Sequence, residues 1–155
     1  MTHIIEDSRQ QAGKHNIKHD WFSRHEVELV RCKLPFGDYA PVPPISIDTK
    51  KDMEEIAGNI CGAEHTRFIN ECKAAKAAGC RLVILVENEN GITDVRQVHE
   101  WINPRVIYNP KCVQGERLQK AMETIAERYG VQFLFCTPGE SAKRIMEILN
   151  QYDGQ

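Results

Sequence analysis

Two carboxylates and a lysine lie close together in the segment GDYAPVPPISIDTK. Asp38 follows a glycine, and Asp48 precedes Lys50 by two residues. Two such carboxylates bind Mg²⁺ in the way usual for proteins, with the remaining ligands supplied by water and a substrate phosphate. The ion lowers the pKa of a bound water and neutralises charge on the phosphate, while the lysine can orient the attacking water. The three residues therefore predict metal-assisted chemistry at a phosphate, provided that the fold brings them together.

Strand alternation decides whether the three side chains can meet. Residues 38–42 and 45–50 have the pattern of two strands joined by a proline-rich turn. Because alternate side chains share a face, Asp48 and Lys50 must lie together. Asp38 reaches that face only if a hairpin sets it opposite an even-numbered residue, which needs a turn of odd length. The prolines favour such a turn because they cannot donate ladder hydrogen bonds. The sequence therefore permits a hairpin that brings Asp38 to the other two residues.

Further carboxylates can join this cluster. Asp7 ends the first predicted strand, and Glu54 lies in the first turn of a short helix that begins near Asp52. Asp and Lys also alternate on ordinary solvated strand edges, so the spacing alone leaves a metal site and a solvated edge both open.

The hydrophobic pattern predicts alternating strands and helices. Residues 82–86 form a continuous aliphatic run, typical of a buried central strand. The fold class expected from the whole order is α/β, with a central mixed sheet flanked by helices. The other expected strands are 3–5, 26–33, 38–42, 45–50 and 131–136, and the expected helices are 14–25, a short one from 52, 64–78, 95–102, 116–129 and 138–149.

The composition excludes several classes of protein. The 155 residues, 41% hydrophobic and 27% charged, predict one globular domain with a single core. The apolar runs are too short to span a bilayer and the first residues lack the order of a signal peptide, so we expect a cytosolic protein with no membrane partner. Six cysteines without a CxxC pair favour reduced thiols over a zinc site or a disulfide framework. A net charge of −2 argues against coating of nucleic acid by the whole surface but allows a local basic face.

The metal-site segment resembles a known signature. Gly37-Asp38, then residues 47–50 and Glu54, are similar to the GD...ERKxxxD pattern of the XPF-type structure-specific nucleases, a branch of the PD-(D/E)xK restriction-endonuclease-like superfamily. Residues 4–10 resemble the opening V-D-x-R-E strand of that family, which places Asp7 and Arg9 on the Asp and Arg of the motif. Residues 67–71 resemble the Arg-led helical segment of the family, and residues 81–87 resemble the buried strand that follows it.

The resemblance implies a metal-dependent DNA endonuclease that cuts near branch points and pairs with a second nuclease-fold subunit. It implies one restriction-endonuclease-like nuclease domain over residues 1–155, a homodimer, and Mg²⁺ as cofactor, with Mn²⁺ able to substitute. We expect the chain to be a recombination protein of phage or bacterial origin. The implied metal ligands are Asp38, Asp48, Asp7 and the Thr49 carbonyl, Lys50 orients the water, and the supporting residues are Glu54, Arg67, Arg9 and Glu71.

Three features depart from the family pattern. Gln10 stands where the first motif has Glu. Thr49 replaces the Arg of ERK, and Glu54 replaces the last Asp, while Asp38, Asp48 and Lys50 are kept. The tandem helix-hairpin-helix module that often follows such domains is not expected, because it cannot fit after the last residue. We therefore expect the catalytic core to be retained.

Basic residues near the first helix predict contacts with a DNA backbone. Lys14, Lys18 and Arg24 are the candidates, and Lys111, Arg117 and Lys120 can extend the surface. A solvated helix face is the alternative for the first group. For Arg67 and Glu71, at i and i+4, the alternative is an ordinary surface ion pair.

Other functions and surfaces remain open at this stage. A noncatalytic DNA-binding or dimerisation module of the same fold is the first alternative, and a restriction-type or RNA-directed nuclease is the second. Trp21 and Trp101 are expected as core or interface anchors. The apolar residues of the last two helices exceed the need of one sheet face and predict a dimer surface.

Overall fold

Two three-stranded sheets organise the chain. The structure, a computed structural model, describes residues 2–9, 16–33, 38–41 and 45–153. The chain divides into the units Met1–Pro43 and Pro44–Gln155, each with its own sheet. The expectation of one domain over residues 1–155 stays a prediction. Among the described residues, no helix is long and apolar enough to cross a membrane.

The first unit is a small sheet with one helix. The elements are β1 (Thr2–Asp7), α1 (Asn16–Arg24), β2 (Val27–Cys32) and β3 (Tyr39–Pro41). The central strand β1 pairs in parallel with β2 and antiparallel with β3. Helix α1 connects β1 to β2, as the sequence predicts.

A buried carboxylate joins the elements of this unit. Glu6 of β1 is only 1% exposed. His19 of α1 donates from Nε2 to Glu6 Oε2 over 2.6 Å, and the Tyr39 hydroxyl donates to the same oxygen over 3.1 Å. Arg31 of β2 lies 3.4 Å from Glu6 Oε1. Burial raises the pKa of Glu6, but the hydrogen bonds from His19 and Tyr39 and the charges of His19 and Arg31 together outweigh it and lower the pKa. One charge therefore holds α1, β2 and β3 to β1.

The hairpin predicted for residues 38–50 is wrong for the described residues. Strand β3 pairs with β1, whereas β4 (Ile45–Lys50) pairs in parallel with β5 (Arg81–Glu87). The register that would set Asp38 opposite Asp48 is therefore absent from the described strand pairs. The prolines at 43 and 44, on which the odd turn depended, lie outside the described residues. Local alternation gave the strands correctly, but their pairing partners come from more distant parts of the chain.

The second unit has an all-parallel sheet in the order β4-β5-β6, with helices packed against it. Short 3-10 turns cover Val95–Glu100, Pro104–Ile107 and Pro138–Glu140. The remaining elements are α2 (Met53–Cys61), α3 (His65–Ala77), α4 (Gly115–Tyr129), β6 (Gln132–Cys136) and α5 (Ser141–Asp153). The expected α/β class, a sheet flanked by helices, is confirmed.

The buried strand β5 divides the core of this unit. Leu82, Ile84 and Val86 pack in one cluster with residues of α2, α3 and α4, while Val83 packs with Ile148 of α5. The alternation of β5 thus assigns the two faces of the sheet to different helices. Trp101 is also buried in the larger cluster, so its assignment as a core residue is confirmed, whereas the Trp21 side chain is exposed.

The ends of two helices follow the capping rules. Asp52 caps α2 by accepting a hydrogen bond from the Glu55 amide over 2.8 Å. Glu55 accepts in turn from the Lys51 amide at 3.2 Å. Helix α2 runs through Gly58 without interruption. Gly130, with φ of 70°, ends α4 in the left-handed conformation that favours glycine.

Replacement of the buried carboxylate tests its role in the first unit. We expect Glu6→Gln to lower the free energy of unfolding at pH 7 by about 1–3 kcal/mol, because a charged acceptor is lost. A lowered pKa in the folded state gives stability that is present above the unfolded pKa and lost as the pH falls. The difference from the parent should therefore shrink below about pH 4.5, the ordinary pKa of the group.

Urea unfolding followed by circular dichroism at pH 7 and at pH 4 measures this effect. Asp20→Asn, a carboxylate-to-amide change at an exposed position of α1, is the control and should leave stability within about 0.5 kcal/mol of the parent. An equal loss at both pH values would contradict the electrostatic role.

Candidate active site

Strand β4 fixes the direction of the two central side chains. In the parallel register Asp48 is next to Ile84, and Lys50 is next to Val86. These β5 residues belong to the core cluster that includes Phe68 and other residues of α3. Asp48 and Lys50 therefore lie on the sheet face covered by α3, as alternation predicts.

Lys50 is held tightly at this place. Its Nζ lies 3.0 Å from Asp48 Oδ2, and the two side chains are 12% and 29% exposed. The same nitrogen lies 5.9 Å from the centroid of the Phe68 ring, within the range of a cation–π contact. An ion pair and an aromatic face thus position the ammonium group while part of it still meets solvent.

Helix α3 brings two further candidates to the same cavity. Arg67 and Glu71 are one turn apart, and both line a cavity of about 540 Å³ with Asp48 and Lys50. The ion pair that the structure has at Arg67 is with Glu64, whose Oε2 lies 3.6 Å from Arg67 Nη1. The full lining is Asp48, Lys50, Glu55, Asn59, Glu64, Arg67, Phe68 and Glu71.

Two carboxyl groups meet in this cavity. Burial raises the pKa of Glu71, and the charge of Asp48 together with a hydrogen bond between the two carboxyls raises it further. Lys50 and Arg67 act in the opposite direction but do not cancel the effect. Of the side chains that line the cavity, four are carboxylic acids and two are basic. The cavity thus has an excess of negative charge that a proton or a cation relieves.

The donor set of this cavity suits a hard cation. Mg²⁺ prefers oxygen ligands and needs only one or two protein carboxylates, which Asp48 and Glu71 supply. Within residues 2–9, 16–33, 38–41 and 45–153, no group of three or more His, Cys, Asp or Glu side chains that could hold a metal is found. With two protein carboxylates, the remaining ligands of such a cation would be water and substrate oxygens.

A buried thiol lies beside the cavity. Burial, with a smaller effect of the Glu71 charge, raises the pKa of Cys72 to about 11. Cys72 stays protonated at neutral pH, so it is a core residue of α3 and not a nucleophile or metal ligand.

The other predicted ligands lie elsewhere in the structure. Asp7, whose side chain is outside the described part, ends β1, and the exposed Asp38 precedes β3. Both belong to the first unit, so their part in a cluster with Asp48 stays a prediction. The Thr49 side chain is exposed, and the predicted role of its carbonyl is not tested.

The predicted supporting and DNA-contacting residues have varied positions. Glu54 does not line the cavity of Asp48, because it points to Arg105, whose Nε lies 3.5 Å from Glu54 Oε2. Arg9 is exposed in the turn after β1, and Lys18 and Arg24 are exposed on α1. Lys14, Gln10 and Gly37 lie outside the described residues.

Three lining residues were not predicted. Glu55 and Asn59 are four apart on α2, and Glu64 precedes α3 at three residues from Arg67. Their spacing places polar side chains on one helix face in each case. This regularity was present in the sequence, but which face meets β4 depends on the packing of α2 and α3.

The chain is similar to known proteins over most of its length. A family model described as the ERCC4 domain matches residues 6–148. XPF from Aeropyrum pernix has a similar structure, with a TM-score of 0.50 and 16% identity over 99% of this chain and 65% of that chain. XPF from Aeropyrum pernix in complex with DNA gives 0.49 and 17%, over 99% and 66%. This chain thus spans about two thirds of the XPF chain. At such identity the first resemblance shows the fold alone. No curated protein matches the sequence.

The raised pKa of Glu71 predicts a change in stability. Glu71→Gln should raise the free energy of unfolding at pH 7, because a group with a raised pKa loses stability as the pH rises through it. The gain should be less than about 1 kcal/mol, since solvent screens this partly exposed carboxyl. It should vanish below about pH 4.5, where both forms are neutral. Urea unfolding in EDTA measures the change.

Glu127→Gln, at an exposed position of α4, is the matched control and should show no gain. A loss of stability at pH 7 in Glu71→Gln would overturn the paired-carboxyl description.

Proposed function

The chain belongs to the ERCC4 domain family, and we propose that it is a Mg²⁺-dependent endodeoxyribonuclease. The proposal rests on one observation, that Asp48 and Lys50 form a 3.0 Å ion pair on one face of β4, beside Glu71. Phosphodiester hydrolysis needs a carboxylate that binds a cation, a lysine that orients the water, and a second carboxyl, which here comes from a helix.

Each residue of the cavity has a distinct part in this proposal. Asp48 and Glu71 hold the cation, which when bound activates water and neutralises charge on the phosphate. Lys50, fixed by Asp48 and Phe68, orients the attacking water and stabilises charge that develops on the phosphate oxygens. The exposed Arg67 binds a phosphate at the cavity mouth, where its planar group suits bidentate contact.

The remaining family positions complete the proposed site. Asp7, Asp38 and the Thr49 carbonyl add ligands to the cation, and Mn²⁺ can replace Mg²⁺. Arg9 and Glu54 support the arrangement from outside the cavity. These roles rest on the residue types and on the family to which the chain belongs.

The proposed substrate is DNA with a flap, fork or junction, and the proposed assembly is a homodimer. Ile107 and Tyr108, between β5 and α4, are 81% and 87% exposed. Such exposed apolar side chains support a surface that a second subunit covers. The exposed Lys18 and Arg24 of α1 support contacts with a DNA backbone. A cytosolic location stays a prediction. A noncatalytic binding module is the alternative, and the cleavage test below separates the two.

Removal of either central side chain should abolish cleavage. We expect Asp48→Asn and Lys50→Ala to reduce the cleavage rate by at least about 10²-fold, the scale of a lost general base or charge stabiliser. The measurement is gel electrophoresis of single-stranded, duplex, flap, fork and four-way DNA after incubation with Mg²⁺ or Mn²⁺.

Two exposed changes, Glu127→Gln on α4 and Lys143→Ala on α5, control for the removed charge. They should cut like the parent, and all four variants should keep the parent circular dichroism spectrum. Parent-like cutting by both Asp48→Asn and Lys50→Ala would show that the site is wrong. A parent protein that binds DNA but never cuts it would favour the noncatalytic alternative.

Basic residues of α1 should contribute a salt-dependent affinity. Lys18→Ala and Arg24→Ala should each weaken binding to every DNA shape alike, because phosphate contacts carry no sequence information. The slope of log affinity against log salt should fall by about 0.9 for each lost contact. Fluorescence anisotropy with labelled DNA at several NaCl concentrations measures it, with Lys143→Ala as control. Unchanged slopes would show that α1 does not contact the DNA backbone.

A further inference from the structure

A second cavity lies on the other side of α3 from the candidate active site. It is a groove of about 480 Å³ between α3 and α4, and we call it the α3–α4 groove. Ile60, Ile69 and Ile125 form its apolar part. None of its lining residues is shared with the cavity of Asp48. It is therefore a separate surface of the second unit.

The charge on this groove has one sign. Arg117, Lys120 and Arg128 line it, and no carboxylate does so among the described residues. Helix α4 also has acidic residues, but they do not belong to the lining. The 3.6-residue period explains this, because Glu123 and Glu127 fall on the adjacent flank of the helix. The groove thus combines an aliphatic base with a basic border.

The size of the groove limits what can fill it. Arg117 and Tyr129 are twelve residues apart on α4, a distance of about 18 Å at 1.5 Å per residue. Three turns of a second helix have this length and present apolar side chains at positions i, i+4 and i+7. Such side chains match the isoleucines, and acidic flanks match the basic border. A nucleic-acid backbone would pair with the basic side chains but would leave the isoleucines without an apolar partner.

From this match we propose that the α3–α4 groove binds an acidic amphipathic helix of a partner protein. The cavity of Asp48, on a different face of α3, is lined by more carboxyl than basic side chains and therefore disfavours the same segment. The groove is then a docking surface that works beside the candidate active site and independently of its chemistry.

A displayed library of 14-residue helical peptides tests the proposal on the full chain. The peptides recovered should be enriched in Glu and Asp and should have Leu or Ile at i, i+4 and i+7. Affinity of a fluorescein-labelled recovered peptide is measured by anisotropy. Lys120→Glu and Arg128→Glu should each weaken it by on the order of tenfold. Lys143→Glu, the same charge change at an exposed position of α5, should leave it unchanged within about twofold.

Further measurements distinguish the possible ligands of the groove and control for misfolding of the variants. Replacement of the apolar anchors of the peptide by Ser should abolish binding without any change in the protein. The proposal fails if no recovered peptide depends on Lys120 or Arg128. It fails if a 20-base-pair duplex displaces the peptide with the same dependence, which would make the groove a nucleic-acid surface. It also fails if light scattering finds a dimer that Lys120→Glu dissociates, since a second copy would then fill the groove.

Discussion

The parallel pairing of β4 with the buried strand β5 is the constraint on which the candidate site depends. Every residue from Leu82 to Val86 is buried and charged residues flank this run, so a shift of β5 by one residue would bury Arg81 or Glu87. Its register places Asp48 and Lys50 on the face covered by α3. A slip of one residue would turn both side chains to the face of α5. The hydrophobic core therefore determines the direction of the charged pair.

Helix α3 separates two environments of opposite charge. One side presents Arg67 and Glu71 to the cavity of Asp48, where carboxylates predominate. The other side presents Ile69 to a groove bordered by Arg117, Lys120 and Arg128. Its buried residues, Phe68 and Cys72, face the sheet between them. A single amphipathic helix can thus serve a cation site and a docking surface without mixing their charges.

Local patterns in the sequence were sufficient for most elements and for the central pair. The aliphatic run of β5 and the helical periods of α3 and α4 depend on residues close in sequence, and the structure has them as predicted. The shared face of Asp48 and Lys50 follows from alternation alone. Residue types and spacing indicated Asp38, Asp48 and Lys50, and the resemblance to the nuclease family added Arg9, Arg67 and Glu71. Membership of that family is confirmed.

Features that depend on distant contacts could not be predicted in this way. The strands around Asp38 and Asp48 are neighbours in sequence, yet β3 pairs with β1 and β4 with β5, because pairing is decided by the packing of the whole sheet. Glu6 lies one residue before the end of β1, and its burial depends on His19, Arg31 and Tyr39, which come from three other elements. Glu54 has the expected spacing, but the direction of α2 brings Glu55 to the cavity instead.

The central claim is that a cation binds at the β4 face beside α3. Iron(II)-mediated cleavage of the polypeptide tests it most directly, because hydroxyl radicals cut the backbone near a bound Fe²⁺, and mass spectrometry locates the cuts. The account predicts cuts around Asp48 in β4 and around Glu71 in α3, suppressed by excess Mg²⁺ and absent in Asp48→Asn. Cuts confined to other segments, or cuts at β4 that Mg²⁺ does not suppress, would contradict it.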